Sequence, residues 1–107
     1  MTESQKKATV ATRIVEGKLE AMLLDATERR DKAIAHFGRL QRFLTETAGP
    51  AFMEAPSDYS RVQTYQNAIA QTAAASTICT YTQKVFEECH IAAGRFLQLQ
   101  QQAHENH

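Results

Sequence analysis

The feature that most constrains this 107-residue chain is a run of twenty-two residues, Val62 to Gln83, without a single charged side chain. It reads VQTYQNAIAQTAAASTICTYTQ and leads into KVFEECHIAAGRFLQLQQQA, ending near Ala103. Ile78, Thr82, Val85, Cys89, Ala92, Phe96, Leu99 and Ala103 step alternately by four and three, the spacing of a helix–helix seam. Tyr65, Ile69, Thr72, Ser76, Cys79, Phe86, Ala93 and Leu97 form a second, smaller-residue stripe one position out of phase. A helix so poor in charge, with two adjacent apolar faces, needs cover from more than one neighbour. Its Ala, Ser and Thr content between Ala68 and Thr82 lets a partner backbone approach closely, although small side chains bury less area and stabilise less.

The preceding half reads as a second helix. Thr2 and Gln5 have the form of a capping box. From Ala8 a helical-period stripe runs through Ala11, Val15, Leu19, Met22, Leu23, Ala26, Ala33, Phe37, Leu40 and Leu44, opposed by Glu16, Glu20, Asp25, Glu28, Arg39 and Arg42. Asp25 with Arg29, and Glu28 with Lys32, are acid-before-base pairs at four-residue spacing, each adding a few tenths of a kcal/mol, ~0.3. The cluster Glu28 to Lys32 interrupts the stripe for about one turn. An unbroken helix is expected through it, and a break near Arg29 or Gly38 is the alternative.

Ala48-Gly49-Pro50 predicts a helix stop, with Gly49 left-handed after the last turn and Pro50 unable to continue. The expectation is a helix over about 4–48, a loop over 49–57 and a second helix over about 58–103, restarted after Pro56 with Asp58 as cap, with a polar tail at 104–107. The fold class is therefore all-α: an antiparallel hairpin of two long helices in a single domain. A lone hairpin leaves half of each stripe wet, so pairing with a second copy into a four-helix bundle is expected. A compact three- or four-helix monomer is the alternative.

Twelve basic and twelve acidic side chains cancel, which argues against nucleic acid, whose binding rests on phosphate neutralisation. The segment before Gly49 holds nine Lys/Arg and seven Asp/Glu, that after it three and five. No apolar run follows Lys6 and Lys7 as in a signal peptide, and Gln63, Gln66, Asn67, Gln71 and Gln83 make the charge-free run too polar for lipid. A cytoplasmic protein with no transmembrane segment is expected. Cys79 and Cys89, ten positions apart on one helix and so roughly 15 Å apart, cannot bridge each other. Free thiols are the default, and an intermolecular disulfide the alternative.

Chemistry is hard to find. Cys89 and His90 are adjacent on a helix, point about 100° apart and do not form a nucleophile–base pair, so Cys89 reads as a small hydrophobe in a seam. His104 and His107 with Glu105 lack supporting groups for a metal. His36 stands alone, no Glu-x-x-His occurs, and there is no glycine-rich phosphate loop. Gly17, Gly38 and Gly94 each cost about 1 kcal/mol against Ala and mark close contacts or bends. Arg29, Arg30, Lys32, Arg39 and Arg42 make a basic strip diluted by acids. No catalytic residue, cofactor or metal is expected.

In the loop, Phe52 and Met53 either plug the end of the bundle or anchor a partner protein, and Tyr59, Tyr65 and Tyr81 each carry a polar tip that needs a partner when buried. The function expected is non-enzymatic protein binding by a homodimer with an unidentified protein partner: a small regulator, anti-activator, or chaperone or adaptor. Its interface is expected at Phe52, Met53, Tyr65, Ile69, Ile78, Val85, Phe86, Cys89, Phe96, Leu97 and Leu99. The Ala/Gln/Thr-rich helical character is also loosely similar to that of granule-coating phasins, without a shared motif. That likeness implies, as the alternative, an amphipathic coat on a granule or membrane surface.

Overall fold

The structure, a computed structural model, describes residues 2–105, with side chains described there except at 8–12 and 104. Ala8 and Ala11 of the first stripe, and the His104 and His107 pair, thus lie outside the described side chains. Among the described residues there is no strand. Helix α1 spans Glu3–Phe43, a π-helical stretch follows at Leu44–Ala48, α2 spans Gly49–Glu54 and α3 spans Tyr59–Glu105. α1 is unbroken at Arg29 and Gly38.

The capping box forms as expected. The Thr2 amide donates to Gln5 Oε1 at 3.0 Å and the Gln5 amide to Thr2 Oγ1 at 3.3 Å, so each side chain satisfies a backbone donor of the first turn.

The stop expected at Gly49-Pro50 is overturned. Gly49 is right-handed, at φ −62° and ψ −54°, and its amide donates to the carbonyl of Leu44, five residues back. Proline has no N–H, and its ring collides in a regular helix with the carbonyl four residues earlier, here that of Glu46. Widening the preceding turn to a π-turn lets the chain pass Pro50 without leaving the helical path, and Pro50 falls in the first turn of α2, where its missing donor costs nothing. The 49–57 loop shrinks to the residues between α2 and α3. Ala55, at φ −142° and ψ 73°, lies outside the α region, from which a residue preceding proline is pushed.

Gly49 is required for a different reason. A Cβ there would stand 2.9 Å from the Leu44 carbonyl oxygen and 3.8 Å from the Tyr65 ring. Gly17, Gly38 and Gly94 carry no such demand, since an added Cβ would meet nothing within 4 Å, and the close contacts expected of them are absent.

Asp58 restarts the chain as expected. Its Oδ1 accepts from the amides of Ser60 and Arg61 at 3.0 and 3.4 Å, which caps the first turn of α3. In the charge-free segment of α3 the threonine hydroxyls fold back onto the helix. Thr64, Thr72, Thr77, Thr80 and Thr82 each donate to the carbonyl four residues earlier at 2.7 to 3.2 Å. This back-bonding satisfies a polar side chain within its own helix, so Thr72 and Thr82 can be half-buried.

The chain divides into two compact units. Unit 1 is 1–28 with 85–107, and unit 2 is 29–84. In unit 2, α1 and α3 run antiparallel. The Cys79 thiol donates to the Ala33 carbonyl at 3.1 Å, while Tyr65, earlier in α3, lies beside Gly49.

Among the described residues, those that are buried are all alanines: Ala26, Ala48, Ala68, Ala75 and Ala93. The covered positions of α3 include Tyr65, Ala68, Thr72, Ala75, Cys79, Thr82, Phe86, Cys89, Ala93 and Phe96, which follow a three–four alternation. The seam therefore runs between the two expected stripes and takes residues from each. On α1 the half-buried positions include Leu19, Leu23, Ala33, Phe37 and Leu40, and Leu44 follows in the π-helical stretch. Val15 and Met22, assigned to that stripe, are exposed. Arg30 takes a half-buried seam position and pairs with Asp31 at 3.1 Å, so the charged cluster is carried through the seam by an ion pair on an intact helix.

Candidate interaction surface

Because the seam follows the line between the stripes, it leaves exposed apolar residues on either side. On one side of α3, Ile78 is 53% exposed and Leu99 65% exposed, with Val85 half-buried and Ala92 exposed between them. These four step by seven and contain no charge. The other flank carries Ile69, 44% exposed, and Leu97, 57% exposed, separated by the polar Ser76, Gln83 and His90. Phe86, Cys89 and Phe96 sit half-buried in the seam itself, and the Phe86 ring meets His90 edge-on with centroids 4.4 Å apart. The expected interface residues thus separate into seam members and flank members, a division that the two sequence stripes do not reveal.

Each unit has its own groove. In unit 2 a groove of about 400 Å³ is lined by His36, Leu40, Gln71, Ala74, Ala75 and Ile78. In unit 1 a smaller one of about 160 Å³ is lined by Glu16, Leu19, Glu20, Leu23, Ala93 and Leu97. Both are apolar along the floor because the seam alanines are too short to fill the space between the helices. Both have polar or acidic rims because Glu16, Glu20, His36 and Gln71 lie beside the seam.

The α2–α3 turn in unit 2 is closed by side chains. Phe52 stacks on Tyr65 with centroids 4.8 Å apart and planes 5° from parallel, an arrangement worth about 1 kcal/mol beyond the area it buries. The Arg61 guanidinium donates to the Ala51 carbonyl at 3.2 Å and the Glu54 carboxylate at 3.3 Å, and lies 3.8 Å from an Asp58 oxygen. Arg61 therefore binds the last turn of α2 to the first of α3. Phe52 is half-buried in this stack. Its neighbour Met53 is left 75% exposed and Tyr59 79% exposed.

Among the described residues, no three His, Cys, Asp or Glu side chains come together as a metal site. No described helix is long and apolar enough to cross a membrane. Cys79 and Cys89 are free thiols, both half-buried.

No protein-family model, curated protein or solved structure matches this chain.

Proposed function

We propose that this chain is a non-enzymatic protein-binding module of the regulator, anti-activator or adaptor type. In this reading it works as a homodimer, whose apolar α3 flank is covered by a second polypeptide. The observation that carries the proposal is the contrast within α3: its seam is filled by alanines that are fully covered, while the larger Ile78 and Leu99 stay more than half exposed. Burying a Leu or Ile side chain contributes about 1.5–3 kcal/mol, so the exposed Ile78 and Leu99 on one side of α3 are a source of binding energy unused within the chain.

Light scattering across a concentration series tests the proposal: a mass of twice the 12.0 kDa chain is expected for the wild type, and a shift toward monomer for Ile78→Lys and Leu99→Lys. A wild-type monomer at all concentrations would remove the basis for the reading.

The same exposed flank also suits an apolar surface, the second reading. Flotation with lipid vesicles separates the two, since a coat protein co-floats and a soluble dimer does not.

A further inference from the structure

We infer that the groove of unit 2 receives an amphipathic helix with an acidic edge, supplied by a different protein. The inference rests on the protein-binding reading above and names the partner's chemistry at one groove. It starts from two rows of side chains on either side of the floor at Leu40 and Ala75. Along α1, Lys32, His36, Arg39 and Phe43 step by four, three and four, and along α3, Gln71, Ala74, Ile78 and Tyr81 step by three, four and three. Residues three and four apart share a helix face, and all eight are exposed. His36 on the first row and Gln71, Ala74 and Ile78 on the second line the groove, so each row forms one wall.

The walls differ in charge. The α1 wall carries Lys32 and Arg39, while the α3 wall lies in the stretch Val62 to Gln83, which holds no charged residue. No carboxylate of α3 therefore stands across the groove from the two cations. Among the described residues neither cation is in an ion pair: the Glu28–Lys32 pair expected from spacing does not form, and Asp31, Glu54 and Asp58 are held by Arg30 and Arg61. A complementary partner is apolar along its centre, acidic toward α1 and uncharged toward α3.

A helix with a line of Leu or Ile and a row of Glu or Asp beside it meets that description, the helix-in-groove mode of recognition. Ala74 and Ala75 are short enough for a third backbone to come close. Ile78, 53% exposed, Phe43, 42%, and Tyr81, 67%, supply apolar contact along the walls. From Lys32 to Phe43 is roughly 16 Å, about three helical turns. A bilayer is flat and would meet the cations while leaving the floor uncovered. This chain's own segment of that pattern, Leu19 and Leu23 beside Glu16 and Glu20, has its leucines half-buried already, so the occupant is another protein. Ile78 belongs both to this groove and to the flank proposed for a second copy, and the two occupants exclude one another there.

The test uses the full chain and three labelled, designed helical peptides with the same Leu face and Glu, Gln or Lys along one edge. By fluorescence anisotropy at low salt the wild type is expected to bind the Glu peptide about tenfold more tightly than the Gln peptide, and the Lys peptide most weakly. Lys32→Glu/Arg39→Glu, at exposed positions, is expected to reverse that order with its helicity intact by circular dichroism. Ala74→Trp, which fills the groove and leaves its charge alone, is expected to lose the Glu peptide. An unreversed order, or full binding by Ala74→Trp, would overturn the inference. So would a wild type that ignores all three peptides and binds anionic phosphatidylglycerol vesicles through Lys32 and Arg39. A dimeric wild type that binds no peptide would overturn the groove assignment alone, whereas a monomer that prefers the Glu peptide would support it and remove the homodimer.

Discussion

At the scale of single residues, the glycines separate into two kinds that composition cannot tell apart. Gly17, Gly38 and Gly94 lie inside helices with open space where a Cβ would stand. Replacing each by Ala is expected to raise stability by about 0.5–1 kcal/mol, the helix-propensity difference, read as a higher thermal midpoint. Gly49→Ala is expected to lower it, because its Cβ would press on the Leu44 carbonyl and strain of this sort costs about 1–3 kcal/mol. Equal midpoints for all four variants would contradict the π-turn geometry. Asp58→Ala should lose about 1 kcal/mol through the uncapped start of α3, and Asp58→Asn should retain most of it; a full loss in both would mean that the Arg61 pairing, and not the cap, is what matters. The caps were legible because Thr2-x-x-Gln5 and Pro56-Ser57-Asp58 are local signals with one geometric meaning. Gly49-Pro50 misled because the same dipeptide serves either a left-handed stop or a π-turn that carries the helix past the proline.

At the scale of elements, α3 is a helix whose phase is set by its smallest residues. The apolar count alone favours two stripes led by Ile, Val and Leu, yet the line turned to α1 is the one holding Ala68, Ala75 and Ala93. Close approach of backbones needs short side chains, and the Thr side chains on that line hide their hydroxyls in their own helix. The period was therefore readable and the phase was not, since it depends on how near α1 comes. Ala75→Leu is expected to destabilise the fold by about 1–3 kcal/mol through overpacking, while Ala73→Leu, two positions away and exposed, should change stability by less than about 0.5 kcal/mol. Chemical denaturation of both variants checks this, and similar midpoints would place the seam elsewhere. The π-turn, the Phe52–Tyr65 stack and the Arg61 bridge act as one device that reverses the chain after Glu54. Arg61→Met is expected to weaken that reversal more than Arg39→Met, which replaces an exposed arginine on α1.

At the scale of the whole molecule, the charges are in balance and, among the described residues, only alanines are buried. The expectation of a second molecule followed from counting stripes, and the exposed Ile78, Leu97 and Leu99 give it specific residues. The groove beside Ile78 was out of reach of the sequence alone, because its lining comes from His36 and Leu40 on α1 and from Gln71, Ala75 and Ile78 on α3, which only the fold brings together. The most direct measurement is sedimentation equilibrium of the wild type and of Ile78→Lys/Leu99→Lys. Twice the chain mass for the wild type, falling to a single chain mass in a variant that keeps its helicity, is the result expected. A single chain mass for both, or an unaltered dimer in the variant, would contradict it.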